Sequence, residues 1–256
     1  MNLLAISVGN TRTRLGVFVD GKLGDRRGVA NAEFDGGFEA AAAELWSQLA
    51  GTDEPAVVVA AVHRGLGAKA EAVASRCAGV EALRVERDLM VPVGRQLDRE
   101  TIVGEDRLLN AAAAYGVLKQ SCVVVDAGTA ITLDYVDGVG TFHGGAIAPG
   151  GQMMLDAMHR GTDQLPEVKL ALPSEPIGHN TAQAMLVGVV QGIRGMLRQV
   201  VEGYAEMSGA FPMVVATGGD AELLFGEDPL VDRIVPDLTL MGVAATLRAS
   251  RGEASE

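Results

Sequence analysis

The chain has 256 residues, enough for one large domain or two modest ones and for a full core without disulfides or structural metal. Almost half of it is hydrophobic (48%), which excludes a disordered chain. Its 33 acidic residues against 21 basic ones leave a formal charge of −12 and argue against nucleic acid or an anionic membrane as the main partner. A nucleotide stays open, because a few backbone amides and a magnesium ion can hold phosphates on an acidic protein.

Residues 3–7 and 13–19 are apolar runs separated by Val8-Gly9-Asn10-Thr11-Arg12, which reads as strand, tight turn, strand. The first run has no basic region before it and meets Gly9 too soon for a signal peptide or membrane span, so a soluble, cytoplasmic protein is expected. Asp20-Gly21 signals a second hairpin turn into Lys22-Leu23. Residues 38–49 have helical spacing, 56–62 suit a buried parallel strand, 68–77 a helix and 82–85 a strand. Residues 87–101 read as a loop, and the alanine-rich stretch 106–118 as a helix. Strands are expected at 122–125 and 131–136 around Asp126-Ala127-Gly128-Thr129-Ala130, with Asp137-Gly138 turning the chain again. A tight glycine-rich passage at 144–150 follows, then helices at 153–159 and 181–202, the second stopped by Gly203. Residues 213–216 form a strand ending in Thr217-Gly218-Gly219, 238–249 a final helix, and 251–256 a frayed end.

The two strand–turn–strand units look alike. Laying Ser7 on Asp126 puts Gly9 on Gly128 and Thr13 on Thr132, and both units end in Asp-Gly. This predicts an internal duplication: two similar α/β domains, 1–117 and 118–256, with a cleft between them.

Backbone amides in a glycine-turn hairpin can cradle phosphate oxygens, and a carboxylate at the strand end, here Asp126, can orient magnesium. One such hairpin is ordinarily a plain turn; two, followed by the side-chain-free Gly218-Gly219, make a nucleotide site the better reading. Asp106 stands at a helix start, where an acidic residue ordinarily caps, and Glu105 and Arg107 read as solvated neighbours. His63, His143, His159 and His179 share no metal-ligand spacing, and Cys77 and Cys122 give neither a metal cluster nor a disulfide framework. No Walker-type phosphate loop or nucleophile elbow is present.

In order along nearly the whole chain, these residues resemble the type III pantothenate kinases. Val8-Gly9-Asn10-Thr11 is similar to their first phosphate motif, Gly104-Glu105-Asp106-Arg107 to their substrate and base motif, and Asp126 through Thr132 to their second phosphate motif. Gly144 through Gly150, Thr162 with Leu165-Pro166, Gly178-His179-Asn180-Thr181, Ala216-Thr217-Gly218-Gly219 and Pro236 through Leu240 follow in family order. The resemblance implies a duplicated ribonuclease-H-like (actin-like ATPase) fold, a homodimer, and ATP-dependent phosphorylation of pantothenate with Mg2+ and a monovalent cation, K+ or NH4+. It implies Asp106 as general base, Gly104, Arg107 and Thr181 at the substrate, and Asp126 at the metal. It places Gly9, Asn10, Thr11, Gly128 and Thr129 at the phosphates, and Gly218 and Gly219 by the adenosine.

Two positions depart from the family pattern. Ser7 stands where the first motif begins with aspartate, and a neutral hydroxyl organises magnesium far less well than a carboxylate. Upstream of Asp106, Leu97-Asp98-Arg99-Glu100 replaces a tyrosine-aspartate-asparagine-proline run, and only Asp98 matches. The alternatives are a kinase for another small alcohol and a non-catalytic, nucleotide-binding regulator; the surviving Asp106 and Asp126 favour an enzyme.

Overall fold

The computed structural model of the chain describes residues 1–253. The chain forms two compact units. The first holds Met1–Gly94, Asp98–Val117 and the helix that begins at Leu238; the second holds Arg95–Leu97 and Leu118–Asp237. The backbone therefore changes unit near 95–97, at 117/118 and at 237/238, where the sequence reading has a single change at 117/118.

In the first unit, β1 (Leu3–Val8), β2 (Arg12–Val19) and β3 (Lys22–Ala30) form an antiparallel meander. After α1 (Phe34–Ser47), β4 (Ala56–Ala61) joins β1 in parallel. After α2 (Arg64–Ala78), β5 (Leu83–Arg84) joins β4 in parallel. The sheet order is β3-β2-β1-β4-β5. Alternation along β1 sends Leu4, Ile6 and Val8 to one face, where they pack with Phe38, Ala42 and Leu45 of α1 and Ala70 and Ala74 of α2. Burial of such side chains stabilises each by about 1.5–3 kcal/mol. The reach of β3 to Ala30 was not evident beyond Leu23: it is an edge strand whose Asp25-Arg26-Arg27 run is exposed, so no apolar alternation marks it. Asp20 and Gly21, both at positive φ (48° and 79°), make the hairpin turn before it.

The strand β6 (Gly94–Arg95) precedes α3 (Glu105–Leu118). The second unit then repeats the plan of the first. β7 (Cys122–Ala127), β8 (Ala130–Val136) and β9 (Thr141–Pro149) form an antiparallel meander. Past α4 (Gly151–Arg160) and α5 (Thr181–Ser208), β10 (Met213–Thr217) lies parallel to β7. Past α6 (Ala221–Phe225), β11 (Arg233–Ile234) lies parallel to β10. The order β11-β10-β7-β8-β9 is that of the first sheet read in reverse, with β6 added beyond β9. The expected duplication is thus present in the topology of the two sheets. α7 (Leu238–Ser250) closes the first unit by packing on β1, β2 and β4, where Leu240 lies against Gly16. Inside that unit, Thr239 of α7 donates a buried hydrogen bond (2.8 Å) to Asn110 of α3.

Three local expectations change. Residues 144–150 are mostly strand, because β9 continues past a register shift opposite Asp134–Val136. Gly203 does not stop α5; the helix runs on to Ser208 and ends at Gly209, whose φ of 73° makes the left-handed cap. In register, Asp126 faces Thr132 while Ser7 faces Arg14, so the residue equivalent to Thr132 is Arg14 and not Thr13. At the C-terminus, Arg251–Glu253 form a turn on Arg248, and the fraying expected of 254–256 lies outside the described residues.

Candidate active site

In the first unit the expected residues gather at the C-terminal ends of β1 and β4, the end where open α/β sheets bind ligands. The β1–β2 turn closes with the Gly9 N–H donating to the Arg12 carbonyl (3.0 Å). Asn31, which no sequence pattern singles out, braces this turn from behind. Its side-chain amide donates to the Gly9 carbonyl (2.9 Å), its Oδ1 accepts from the buried Thr13 hydroxyl (2.9 Å), and its N–H donates to the Thr11 carbonyl (2.9 Å). Asn10 and Thr11 are left exposed at the tip. Ser7 is half-buried near the end of β1, between Arg14 of β2 and Ala60 of β4.

Gly104-Glu105-Asp106-Arg107 opens α3 at the same end of the sheet. Val62, bonded through its N–H to the Val8 carbonyl (3.1 Å), packs near Gly104. Asp106 is not a cap. It is the second residue of the helix, and its Oδ1 accepts from the N–H of Arg107 (2.8 Å). Burial pushes its carboxyl above the ordinary carboxylate range, against the pull of the Arg107 amide and guanidinium. Glu105 is not a solvated neighbour either: it is half-buried and accepts a hydrogen bond from the Ala61 N–H (2.7 Å).

In the second unit, Asp126, Gly128, Thr129, Gly218 and Gly219 gather at the C-terminal ends of β7 and β10. The Gly128 N–H donates to the Ala130 carbonyl (3.0 Å), and the Gly150 N–H donates to the Thr129 carbonyl (3.0 Å). A Cβ at Gly150 would lie 2.1 Å from the Gly128 carbonyl oxygen, so this glycine is the floor of the turn. Gly218 has φ of 100°, and a Cβ there would lie 2.2 Å from the Ala127 oxygen and 2.6 Å from Asp126 Oδ1. Gly219 is exposed beyond it, and the Asp220 N–H donates to the Ala127 carbonyl (2.9 Å). Thr181 is the exposed first residue of α5, whose cap is the Asn180 side chain bonded to the Gln183 N–H (2.9 Å).

Asp126 is flanked in register by Thr132 on β8 and Thr217 on β10. The hydroxyls of both threonines are buried and have no hydrogen-bond partner within the chain. Buried polar atoms are nearly always satisfied, so these two hydroxyls beside a carboxylate fit a bound ion or phosphate. Among the described residues no three His, Cys, Asp or Glu side chains cluster as a metal site. The sequence signal is a polar residue at the turn end of an apolar strand run, Thr217 as the last residue of β10 and Thr132 as the third of β8, and it gains meaning only once the strands are in register.

Leu97 lies beside β9, where a Cβ at Gly144 would be 3.3 Å from Leu97 Cδ2, and the Gln96 N–H donates to the Phe142 carbonyl (3.0 Å). An apolar side chain thus occupies the position where the family pattern has a phenol.

Comparison with solved structures agrees with this architecture. A Baf family protein from Campylobacter jejuni matches with a TM-score of 0.63 at 18% identity, covering 97% of this chain and 99% of its own. The activator of the 2-hydroxyisocaproyl-CoA dehydratase from Clostridium difficile, solved with bound ADPNP, matches with a TM-score of 0.54 at 15% identity, covering 98% of this chain and 95% of its own. The fold is the duplicated ribonuclease-H-like fold of the actin-like ATPases. Sequence comparison goes further. The type III pantothenate kinase family model matches residues 3–203. The type III pantothenate kinase of Rhodospirillum rubrum is 35% identical over 250 residues, covering 94% of this chain and 96% of that protein. The chain belongs to the type III pantothenate kinase family.

Proposed function

We propose that this protein transfers the γ-phosphoryl group of ATP to the primary hydroxyl of pantothenate, giving 4′-phosphopantothenate and ADP in the first step of coenzyme A biosynthesis. The observation that carries the reading is the intact Gly104–Arg107 run. It holds Asp106 at the opening of α3 with its carboxyl raised by burial, as suits a base for an alcohol. As the hydroxyl oxygen forms its bond to phosphorus and the bond to the ADP oxygen breaks, the alcohol proton passes to Asp106. Phosphoryl transfer asks little else of a protein than positioning and charge neutralisation.

The β1–β2 turn (Gly9, Asn10, Thr11) and the β7–β8 turn (Gly128, Thr129) offer backbone amides and hydroxyls to the phosphates. Gly218 and Gly219 leave room for the adenosine, and Gly104, Arg107 and Thr181 contact pantothenate. Asp126, with the hydroxyls of Thr132 and Thr217, would hold Mg2+ by hard oxygen donors. Bound Mg2+ and a monovalent cation, K+ or NH4+, supply charge neutralisation at the phosphates. We place the enzyme in the cytoplasm as a homodimer, without nucleic acid or membrane partners. The charge of −12 supports the reading without a nucleic-acid or anionic-membrane partner, and no helix among the described residues is long and apolar enough to cross a membrane.

Leu97 favours a second reading, a kinase of the same mechanism for a less polar alcohol. Purified protein incubated with ATP, Mg2+, K+ and pantothenate, followed by mass spectrometry for 4′-phosphopantothenate, separates the two. Product from the wild type that vanishes in Asp106→Asn supports the first reading. ATP binding without product turns the search to other alcohols.

A further inference from the structure

Strand β5 stops short of the end of β4. The Val85 N–H still donates to the Val59 carbonyl (3.0 Å), but two residues on the Ala61 N–H turns to a side chain, Glu105 Oε2 at 2.7 Å. The first residue of α3 thus takes the place of the missing strand in the ladder. The other oxygen of the same carboxylate, Oε1, lies 3.6 Å from Nη2 of Arg84, the last residue of β5. Nη1 of Arg84 lies 3.8 Å from Glu71 of α2, and Glu71 also pairs with Arg87 at 2.8 Å.

The guanidinium is held by charge and packing more than by hydrogen bonds: both ion pairs lie beyond hydrogen-bond distance, and its Nε is buried without a hydrogen-bond partner within the chain. Arg84 and Glu105 side chains are only 14% and 19% exposed. Gly67 of α2 admits the arginine, since a Cβ there would lie 2.9 Å from Arg84 Nη1 and 2.5 Å from the Ala61 Cβ. Four elements, α2, β4, β5 and α3, meet on one buried ion pair beside a residue whose neighbour in sequence is Asp106.

We propose that Glu105 is a positioning residue for Asp106: the hydrogen bond it accepts from the Ala61 amide and its ion pair with Arg84 fix the first turn of α3 so that the Asp106 carboxylate is aimed at the acceptor hydroxyl. Adjacent residues of a helix point about 100° apart, so pinning Glu105 to the sheet sets the rotation of that turn and with it the direction of Asp106. Burial raises the Glu105 carboxyl above the ordinary range against the Ala61 amide and Arg84, and the charges of Glu86 and then Asp106 add to the rise. That opposition is how a buried carboxylate beside a second one is kept in place. The inference rests on the reading of Asp106 as the base.

Catalysis is sensitive to misplacement, with about 1 Å costing on the order of 10²-fold. The test measures phosphorylation of pantothenate by Glu105→Ala, Glu105→Gln and Arg84→Met, alone and with Asp106→Asn, beside thermal midpoints. Glu105→Ala is expected to lower kcat roughly 10- to 100-fold with KM for ATP unchanged. Glu105→Gln, which keeps an acceptor for the Ala61 amide, should recover part of that loss. In the Asp106→Asn background Glu105→Ala should cost nothing further, because its effect acts through Asp106. A wild type without product, or an Asp106→Asn variant at full rate, overturns the underlying reading and the inference with it. A wild type dependent on Asp106, but with a Glu105→Ala loss that is absent or that multiplies fully with Asp106→Asn, overturns the inference alone.

Discussion

Restoring a carboxylate at position 7 should give only part of the expected gain, because of what stands across from it. In the second unit the equivalent cross-strand pair is Asp126 with Thr132; in the first it is Ser7 with Arg14. Directly opposed residues on antiparallel strands have Cα atoms about 5.5 Å apart in hydrogen-bonded pairs. A new carboxylate in Ser7→Asp would meet the Arg14 guanidinium at that range, an attraction of about 3 kcal/mol at an effective dielectric near 20. Both positions are half-buried, so solvent screening reduces this to roughly 1–2 kcal/mol, about tenfold in any competing equilibrium. Losing a charge that organises the phosphates costs on the order of 10²–10³ in rate. Ser7→Asp is therefore expected to raise kcat about 10-fold, and Ser7→Asp with Arg14→Thr, which copies the second unit, about 10²-fold. The assay is the initial rate of ADP release with pantothenate, titrated with Mg2+, and the double variant should also need less Mg2+ for half-maximal rate. Equal rates in single and double variants would refute the role given to Arg14. No gain in either would refute the electrostatic role given to position 7.

Asp106→Asn should reduce product formation by at least about 10²-fold, the range for a positioned general base. Since the base must be ionised and burial holds its pKa above the ordinary value, the acid limb of kcat/KM in the wild type should lie above the ordinary carboxylate range, activity falling as pH drops through it. An acid limb at or below that range would remove Asp106 as the base. Gly218→Ala, whose Cβ would strike the Ala127 carbonyl and Asp126, should weaken ATP binding at least tenfold, read by calorimetry; unchanged affinity would refute the close packing. In the β8–β9 turn burial raises the Asp137 carboxyl, but His143 at 2.9 Å and the amides of Thr141 and Val139 outweigh it and hold the pKa below the ordinary value. A depressed folded pKa stabilises above the unfolded value, about 3.9, and the contribution is lost as pH falls through the folded value. Asp137→Asn should thus lower the thermal midpoint at pH 7 and approach wild type as pH falls below the ordinary carboxylate range; parallel curves would refute the assignment.

Much of the fold is legible in the residues because the two sheets are built on strong local signals. The apolar runs of β1, β4, β7 and β10 are the buried central strands of the two sheets, β4 and β10 parallel to their neighbours and β1 and β7 parallel on one side and antiparallel on the other. What escapes is what local pattern does not carry. Strand β3 is an exposed edge that needs no alternation, and β6 and β11 are two residues each. Gly203 looks like a stop, but a helix 28 residues long and packed through Val190, Ile193, Leu197 and Val201 already carries Gly188, Gly192 and Gly195, absorbs Gly203 too at a cost of about 1 kcal/mol, and continues to Gly209.

The site is legible to the extent that its residues lie on contiguous motifs. Asp106, Asp126 and the turn glycines are each found in a short run; Thr132 and Thr217 stand in such runs too, but that they flank Asp126 follows only from strand register, and Asn31 and Arg84 gain meaning only from folded contacts. Arg14 shows why register decides. Read as strings, the two hairpins align Thr13 with Thr132 and the match looks conservative. The first turn, however, is one residue longer, so Val8 faces Thr13 where Ala127 faces Ile131. In a strand one residue of shift exchanges the two faces. Thr13 therefore points into the core, wholly buried and bonded to Asn31, and Arg14 takes the face that Thr132 occupies in the other half. The same duplicated scaffold thus presents a carboxylate beside a hydroxyl in one half and a hydroxyl beside a cation in the other.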